Sequence, residues 1–252
     1  EGSQTIHNED CSVLAVLNGE IYNYQKLRLQ LMTRGHKFYT ESDTETIVHA
    51  YEEWGDQFTE HLDGIFSVAL WDKKRQCLII ARDRLGVKPL YYIETQNVIL
   101  FASEIKALLL HPEVKREIDF NAFNNYLHFA YVPAPLTMFK NIKKLLPGYI
   151  LIYEKGLTKI NQYWDVSYKI NEDISENECL EQYHSLMKKA VKKQLISDVP
   201  LGLFLSGGID SSILAFLMSE INEHPTKTFS IAYEEENYDE SRYAKFVANH
   251  FH

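Results

Sequence analysis

Two hydrophobic periods alternate along the chain. Over the first two-thirds, apolar, β-branched and aromatic residues come in short runs, "SVLAVLNG", "FSVALWD", "QCLIIARD", "PLYYIET" and "VILFASE", most of them bounded by turn residues. That pattern predicts strands. Between them, Tyr24 to Arg34 and Asp43 to Trp54 set apolar residues three and four apart (Leu27 and Leu31; Ile47, Ala50 and Tyr51), which predicts two amphipathic helices. "PGYILIYEKGLTKINQYWD" predicts a hairpin turning at Lys155-Gly156. Strands mixed with helices predict layers packed face to face.

"VSYKINEDISENE" is polar and acidic, without a period, and reads as a linker, placing a domain boundary near residue 168. Ser175 and Glu178 then form a capping box ahead of Leu180, Tyr183, Met187, Ala190 and Val191. This predicts a helix from about Glu176 to Leu195 with a core-facing stripe. A strand-like "DVPLGLFL" run starting at Pro200, a glycine turn, "DSSILAFLMSEI" with Ile213, Phe216, Leu217 and Ile221 on one face, and an apolar "TFSIAY" follow. That is β-turn-α-β, the opening unit of a parallel nucleotide-binding sheet. One such unit does not bury both faces of its sheet, so further strands are expected beyond residue 252 or in a partner. A last helix carries Tyr243, Phe246, Val247 and Phe251 at helical spacing.

Length and charge narrow the classes. A chain of 252 residues predicts two domains, 1–168 and 169–252. A formal charge of −9 without a Lys/Arg-dense stripe argues against nucleic acid as a partner. No uncharged apolar run approaches the ~20 residues a bilayer requires, which argues against a membrane span. Cys11, Cys77 and Cys179 are odd in number and widely separated, so a disulfide framework is not expected and a reducing cytoplasm is. His250 and His252, without further ligands in view, are expected at the surface.

Residues 202–212, "GLFLSGGIDSS", nearly spell a P-loop, but Gly208 stands where the lysine belongs. A loop between strand and helix leaves backbone N–H groups free for an anion. Ser206, Ser211 and Ser212 add hydroxyls, and Asp210 beside a phosphate requires a bridging cation such as Mg²⁺. The competing reading is that Asp210, Ser211 and Ser212 cap the helix and the glycines serve the turn. At the other end, Asn18-Gly19 in "VLNGEIYNY" has the groups of an oxyanion hole, a side-chain amide and a backbone N–H. Asn-Gly is equally a common hairpin turn.

Taken together the motifs go further. "SGGIDSS" resembles the pyrophosphate loop of the N-type ATP pyrophosphatases. "LNGEIYNY", "SDTETI", "LDGIFSVALWD", "RDRLGVKPLYY", "FASEIKALL" and "LPGYILIY", in this order, resemble the glutaminase half of glutamine-hydrolysing asparagine synthetases, and "DVPLGLFLSGGIDSS" with "TFSIAY" resembles their synthetase half. The resemblance covers essentially the whole chain. It implies an α/β and α+β fold class: an N-terminal-nucleophile (Ntn) hydrolase-like αββα sandwich at 1–168, then the start of an adenine-nucleotide α-hydrolase-like doubly wound parallel sheet at 169–252.

By the same resemblance, Asn18 and Gly19 form the oxyanion hole, and Glu20 and Asp43 hold the α-amino end of glutamine by charge-assisted hydrogen bonds. Ser206, Gly207, Gly208, Asp210, Ser211 and Ser212 hold ATP or pyrophosphate, with Asp210 on Mg²⁺. The backbones of Leu205 and Ile231 meet the adenine edge. Asp239 and Glu240, in "YDESRYA", match an acidic stretch of the family, although helix capping explains them as well. Glutamine, aspartate and ATP are the implied partners, with room for a homodimer. Such glutaminases use an N-terminal cysteine as nucleophile. Residue 1 is glutamate, and Cys11 lacks a free amine, so all three cysteines are expected to be structural and the nucleophile to lie upstream of an internal fragment. Two rivals remain: a same-fold amidotransferase or β-lactam-forming enzyme acting on another carboxylate, and a non-catalytic Ntn-like binding protein, against which "SGGIDSS" argues.

Overall fold

The computed structural model describes residues 5–170, 173–197, 199–235 and 239–251. Glu1 to Gln4, two residues of the acidic stretch, Asp198, Tyr238 and His252 therefore lie outside the described residues. The chain divides into two compact units, 1–167 and 168–252.

The first unit contains β1 (Ile6–His7), β2 (Val13–Ile21), α1 (Tyr24–Thr33), α2 (Asp43–Trp54), β3 (Gly64–Asp72), β4 (Cys77–Arg82), β5 (Tyr91–Glu94), β6 (Ile99–Ala102), α3 (Ile105–Leu108), α4 (Phe120–Phe129), β7 (Lys143–Lys144), β8 (Tyr149–Glu154) and β9 (Leu157–Gln162). Six strands form one antiparallel sheet in the order β1-β2-β3-β4-β8-β9, and three form a second in the order β6-β5-β7. Alternation along the strands separates the faces of the large sheet. Val68, Leu70, Ile79, Ala81, Ile150 and Ile152 face Leu27 and Leu31 of α1 and Ile47, Ala50 and Tyr51 of α2. Their neighbours Ala69, Ile80 and Leu151 face Leu90, Tyr92 and Phe101 of the second sheet. Ile93 and Leu100, on the far side of that sheet, pack on Ile105 and Leu108 of α3. The layers are helix, sheet, sheet, helix: the αββα sandwich of the Ntn hydrolase type.

The predicted elements are present with small shifts of boundary. Ser42 caps α2 by accepting a hydrogen bond from the Thr44 N–H, and the 154–157 hairpin turns on Lys155 and Gly156, both at positive φ. That turn joins β8 to β9 in register, Glu154 opposite Leu157. The α4 helix, capped by Asp119, had no place in the sequence expectations. Its apolar residues, Phe120, Phe123, Tyr126, Leu127 and Phe129, stay exposed within this unit, and Ala122 is the buried one.

The second unit contains α5 (Glu176–Gln194), β10 (Gly202–Phe204), α6 (Ile209–Ile221), β11 (Lys227–Phe229) and α7 (Ser241–Phe251). The two strands are parallel, Gly202 opposite Lys227, and α6 is their crossover. The capping box of α5 is complete: Ser175 and Glu178 exchange hydrogen bonds between side chain and backbone, which contributes about 1 kcal/mol. The stripe predicted to be core is only half covered, however. Val191 and Met187 pack on Leu217 and Met218 of α6, whereas Leu180, Tyr183 and Ala190 are exposed. The predicted face of α6 is the one packed on α5, and because the helix lies between two others it buries a second side as well. Ile213, Leu217 and Ile221 pack with Met218 in the cluster that meets Val191 and Met187 of α5, Ala215 meets Ala244 and Val247 of α7, and Phe216 lies against His184 of α5 and Phe251 of α7. On α7, Val247 and Phe251 pack but Tyr243 and Phe246 do not.

Candidate functional site

Asn18 and Gly19 do not form a turn. They lie inside β2, opposite Ser67 and Phe66 of β3, which removes the hairpin alternative. Gly19 has φ +141°, and a Cβ there would stand 2.0 Å from the Ile65 carbonyl oxygen and 2.8 Å from the Phe66 Cα. Only glycine fits this approach. Gly64, opposite Ile21, is bound by the same constraint, since its Cβ would meet the Glu20 carbonyl at 2.2 Å. Two glycines on facing strands thus let the ends of β2 and β3 close on each other.

The backbone groups of Phe66 are directed toward Asp83. Its N–H donates to the Asp83 carboxylate at 3.3 Å, and its carbonyl accepts from the Asp83 N–H at 2.8 Å. In an antiparallel pair, groups committed to one neighbour are turned from the other. The Gly19 amide is therefore left on the opposite edge of β2. Among the described residues no strand pairs with that edge beyond Ala15. The Asn18 side-chain amide lies at the surface and donates to Ser103 Oγ at 2.9 Å. With two N–H groups on that nitrogen, one remains for a ligand.

Asp43 stands at the first position of α2, where the helix dipole favours a carboxylate. One of its oxygens accepts from the Ile21 N–H at 2.9 Å, and the other lies beside the Ser42 and Thr44 hydroxyls. That hydrogen bond ties α2 to β2 next to the exposed Glu20. Asn18, Gly19, Glu20 and Asp43 are thus gathered at one end of β2.

Asp83 was quoted within a motif but assigned no role by the sequence. It is buried and accepts the N–H groups of Phe66, Leu85, Val87 and Lys88. Arg82 beside it donates to the carbonyls of Lys88, Leu145 and Gly86. Burial alone lowers the Arg82 pKa, opposed by the Asp83 charge. The "RDRLGVK" loop is thus an internal brace behind β3. Its signal was an Arg-Asp pair at a strand end followed by Gly, where a carboxylate commonly gathers loop amides.

The cysteines divide. Cys77 is buried, and burial pushes its thiol up to about 11. Cys11 and Cys179 are exposed, so the expectation of three structural cysteines holds for one. Cys11 lies in the turn before β2 with its sulfur 3.5 Å from His7 Nδ1.

In the second unit, the loop from β10 to α6 carries the other group of predicted residues. Gly208 is the N-cap of α6 and makes no side-chain cap. Asp210, Ser211 and Ser212 are inside the helix, so the alternative that they cap it does not apply. The hydroxyls of Ser211 and Ser212 both turn back to the Gly208 carbonyl, at 3.1 and 2.7 Å. Ser206 Oγ lies 3.0 Å from Ser211 Oγ and accepts from the Gly208 N–H at 3.2 Å. The N–H groups of the first turn point past this cluster with no intrahelical acceptor. Asp210 is exposed and, among the described residues, joins no ion pair.

The two loop glycines differ in purpose. Gly207 has φ +83°, and a Cβ there would meet Tyr243 Cβ at 2.5 Å and the Ala244 N at 2.6 Å; the close packing of α7 demands it. A Cβ on Gly208 would meet nothing nearer than Ser206 Oγ at 3.4 Å, so its open side admits a ligand. Leu205, Ser206 and Ile231 line one pocket of about 250 Å³, with Phe229, Tyr233 and Glu240. Within it the Leu205 N–H is taken by the Phe229 carbonyl and its own carbonyl accepts from Ser230 Oγ at 2.6 Å. Asp239 caps α7, accepting from the Ser241 N–H and hydroxyl, and the Ser241 hydrogen bonds hold its carboxyl below the usual range. That settles the capping alternative for Asp239.

The first unit thus presents a strand-edge amide pair on a sandwich, and the second a helix start with open amides on a parallel βαβ unit. Residues 1–164 match the family described as glutamine amidotransferase domain, and residues 182–252 match asparagine synthase. Asparagine synthetase [glutamine-hydrolyzing] 3 of Bacillus subtilis is 41% identical over 87% of this chain and 36% of its own length. Number 2 of the same organism is 36% identical over 100% of this chain and 35% of its own. Amidase chyE of Penicillium rubens is 35% identical over 98% and 39%. The chain belongs to the glutamine-hydrolysing asparagine synthetase family, and it spans little more than a third of the length of these relatives. Among the described residues no helix is long and apolar enough to cross a membrane.

Proposed function

We propose that the protein carrying this chain makes asparagine from aspartate, with glutamine as the nitrogen donor and ATP as the activating agent. In the first unit, attack on the side-chain amide carbon of glutamine develops a negative charge on the carbonyl oxygen. The second Asn18 side-chain N–H and the Gly19 amide would receive it, a type of stabilisation that contributes about 3–4 kcal/mol per donor. Glu20 and Asp43 hold the α-ammonium group by charge. Collapse of the tetrahedral species breaks the C–N bond and, with a proton gained, releases ammonia, and water then hydrolyses the acyl group left on the attacking thiol to glutamate.

In the second unit, a side-chain oxygen of aspartate attacks the α-phosphorus of ATP. The bond to the β-phosphate breaks, and pyrophosphate leaves onto the first-turn N–H groups of α6 and the Ser206 hydroxyl. The donor set suits Mg²⁺, because a lone exposed carboxylate, Asp210, with phosphate oxygens and water is its usual company. When bound, that ion neutralises charge on the leaving pyrophosphate. Leu205 and Ile231 line the neighbouring pocket, which would take the adenine. Ammonia then attacks the acyl carbon, AMP departs with its oxygen, and loss of a proton leaves the amide. The reducing cytoplasm suits three cysteines that are all free.

One observation carries the reading: the α6 start offers open amides, an open Gly208 and an unpaired Asp210, with no lysine for γ-phosphate transfer. The test is ATP–pyrophosphate exchange by the full-length protein, which is expected to require aspartate and Mg²⁺. Relatives named amidases give the second reading, a different acid as acceptor. Exchange with another carboxylate and none with aspartate would replace the first reading by the second.

A further inference from the structure

Away from both sites, at the C-terminal half of α2, four side chains converge: Glu9 from the turn between β1 and β2, His36 from the segment after α1, and His49 and Glu52 on successive turns of α2. One donor atom from each lies within 4.8 Å of the other three. We propose that this cluster is a structural binding site for a divalent transition-metal cation of the Zn²⁺ class.

The distances have the scale of a coordination sphere. His49 Nδ1 is 3.0 Å from Glu52 Oε2 and 3.7 Å from Glu9 Oε2, and His36 Nδ1 is 3.5 Å from the same Glu52 oxygen. Ligands about 2.0 Å from a tetrahedral Zn²⁺ are separated from one another by about 3.3 Å. Glu9, partly exposed, has freedom to shorten the longer edges.

The remaining atom of Glu9, Glu52 and His36 is already held, as in metal sites where outer partners orient the inner ligands. Glu9 Oε1 accepts from the Lys37 N–H at 2.9 Å, and Glu52 Oε1 accepts from Asn8 Nδ2 at 2.6 Å. Each carboxylate is thus left with Oε2 directed at the cluster. Both histidines have a carboxylate behind the ring: Glu53 at 3.5 Å from His36 Nε2, and Glu45 at 3.6 Å from His49 Nε2. The rings are fixed by packing, His49 between His36 and Phe38.

Electrostatics favours a cation there. Glu45 is fully buried and accepts from the Tyr39 N–H, the Thr40 N–H and the Thr40 hydroxyl, the pattern of an ionised carboxylate. The hydrogen of a neutral His49 therefore belongs on Nε2, whose partner in the buried interior is otherwise missing. The Nδ1 lone pair then faces two carboxylate oxygens, an arrangement that is repulsive without a positive charge between. A proton on His49 Nδ1 would pair it with Glu52 Oε2 at 3.0 Å and leave Glu9 Oε2 without such a bond. His36 Nδ1 turns to the same Glu52 oxygen, and a single metal ion satisfies all four. Two imidazoles and two carboxylates suit Zn²⁺, and the two negative charges cancel its own. With four protein ligands the site is of the closed, structural kind. It would fasten the β1–β2 turn and the end of α1 to the helix whose other end presents Asp43.

The experiment uses full-length protein with Cys11 and Cys179 replaced by serine, so that exposed thiols do not compete. Metal-free protein is titrated with Zn²⁺ and with Co²⁺, and compared with Glu9→Gln and His36→Gln, neither of which touches the glutamine or ATP residues. One Zn²⁺ per chain, a rise in Tm, and the intense visible absorption of four-coordinate Co²⁺ are expected. Each variant should lose at least about tenfold in affinity, with the Tm of its metal-free form near that of the parent. Absence of stoichiometric binding, a weak six-coordinate Co²⁺ spectrum, or an affinity unchanged from the parent in both variants would overturn the site and leave a protonated His49 as the cation. Should one variant fail to fold, the other and the parent Co²⁺ spectrum decide.

Discussion

The two units position their anion-binding amides by opposite means. In the first, the amides of Asn18 and Gly19 belong to β2, with β3 along one side, and are held by a close strand approach, two glycines and the Asp83 brace behind them. In the second, they are the unpaired donors that any helix start possesses, and the loop has only to keep them clear. The first unit also closes its core between four layers. The second leaves Phe204 and Phe229 exposed on a two-stranded sheet, as expected of one βαβ unit alone. A site built into a sheet should therefore fail together with its fold, whereas a site at a helix start should lose function with little loss of stability.

The largest expected effect sets the units apart by activity. Asp210→Asn removes the charge that a metal bridging to pyrophosphate requires, and should lower aspartate-dependent ATP–pyrophosphate exchange by about 10²–10³-fold. Asp210 is exposed with no ion pair among the described residues, so Tm and glutamine hydrolysis should stay near those of the parent. A parallel fall in glutamine hydrolysis would show that the two chemistries do not separate along this line.

Gly19→Ala tests the other half. Its methyl has to displace the Ile65 carbonyl from a 2.0 Å approach at a φ that alanine avoids. We expect a destabilisation of about 2–4 kcal/mol with loss of glutamine hydrolysis, seen in denaturant unfolding and in the assay together. Full stability with activity lost would mean that the glycine serves the ligand and not the strand pair.

These glycines also mark what could be read before the structure. The strands, the helices at 24 and 43, the hairpin at Lys155-Gly156 and the capping box at Ser175 were legible, because alternation, helical spacing and cap chemistry are local. That Asn18-Gly19 is strand and not turn was not, since the dipeptide fits both and Ile65, which decides between them, lies far along the chain. Asp83 was missed for a related reason: its carboxylate serves amides on both sides of the loop, and only burial reveals it. The faces of α5 and α7 were misjudged in part where spacing alone had to stand for neighbours. Leu180 and Tyr183 have the period of a core stripe and no partner within their unit, whereas α6 buries two sides and shows little period.

Within the second unit the loop glycines allow a finer division. Gly207→Ala drives a methyl into the backbone of α7 at φ +83° and should cost about 1–3 kcal/mol, lowering exchange through the fold. Gly208→Ala meets only Ser206 Oγ at ordinary contact distance. Its stability should change by less than about 1 kcal/mol, while the added methyl narrows the approach of phosphate and raises KM for ATP. If both variants moved stability alike, the open side of Gly208 would not be a ligand approach.

The smallest effect bears on whether the second unit depends on its local signals as much as its sparse core implies. Ser175→Ala removes one half of a reciprocal cap whose other half is Glu178. The Ser175 hydrogen bonds also hold the Glu178 carboxyl below its ordinary pKa. A lowered folded-state pKa contributes stability above the unfolded value that is lost as pH falls through the folded one. The parent should therefore lose this contribution on acidification, while the variant, already without it, should depend less on pH in that window. Near neutral pH the substitution should cost about 1 kcal/mol. In hydrogen exchange, faster opening should be confined to the first turns of α5 and leave β3 and β4 unchanged. Loss of protection spreading across α6 would show instead that α5, despite its half-exposed stripe, holds the unit as a single cooperative element.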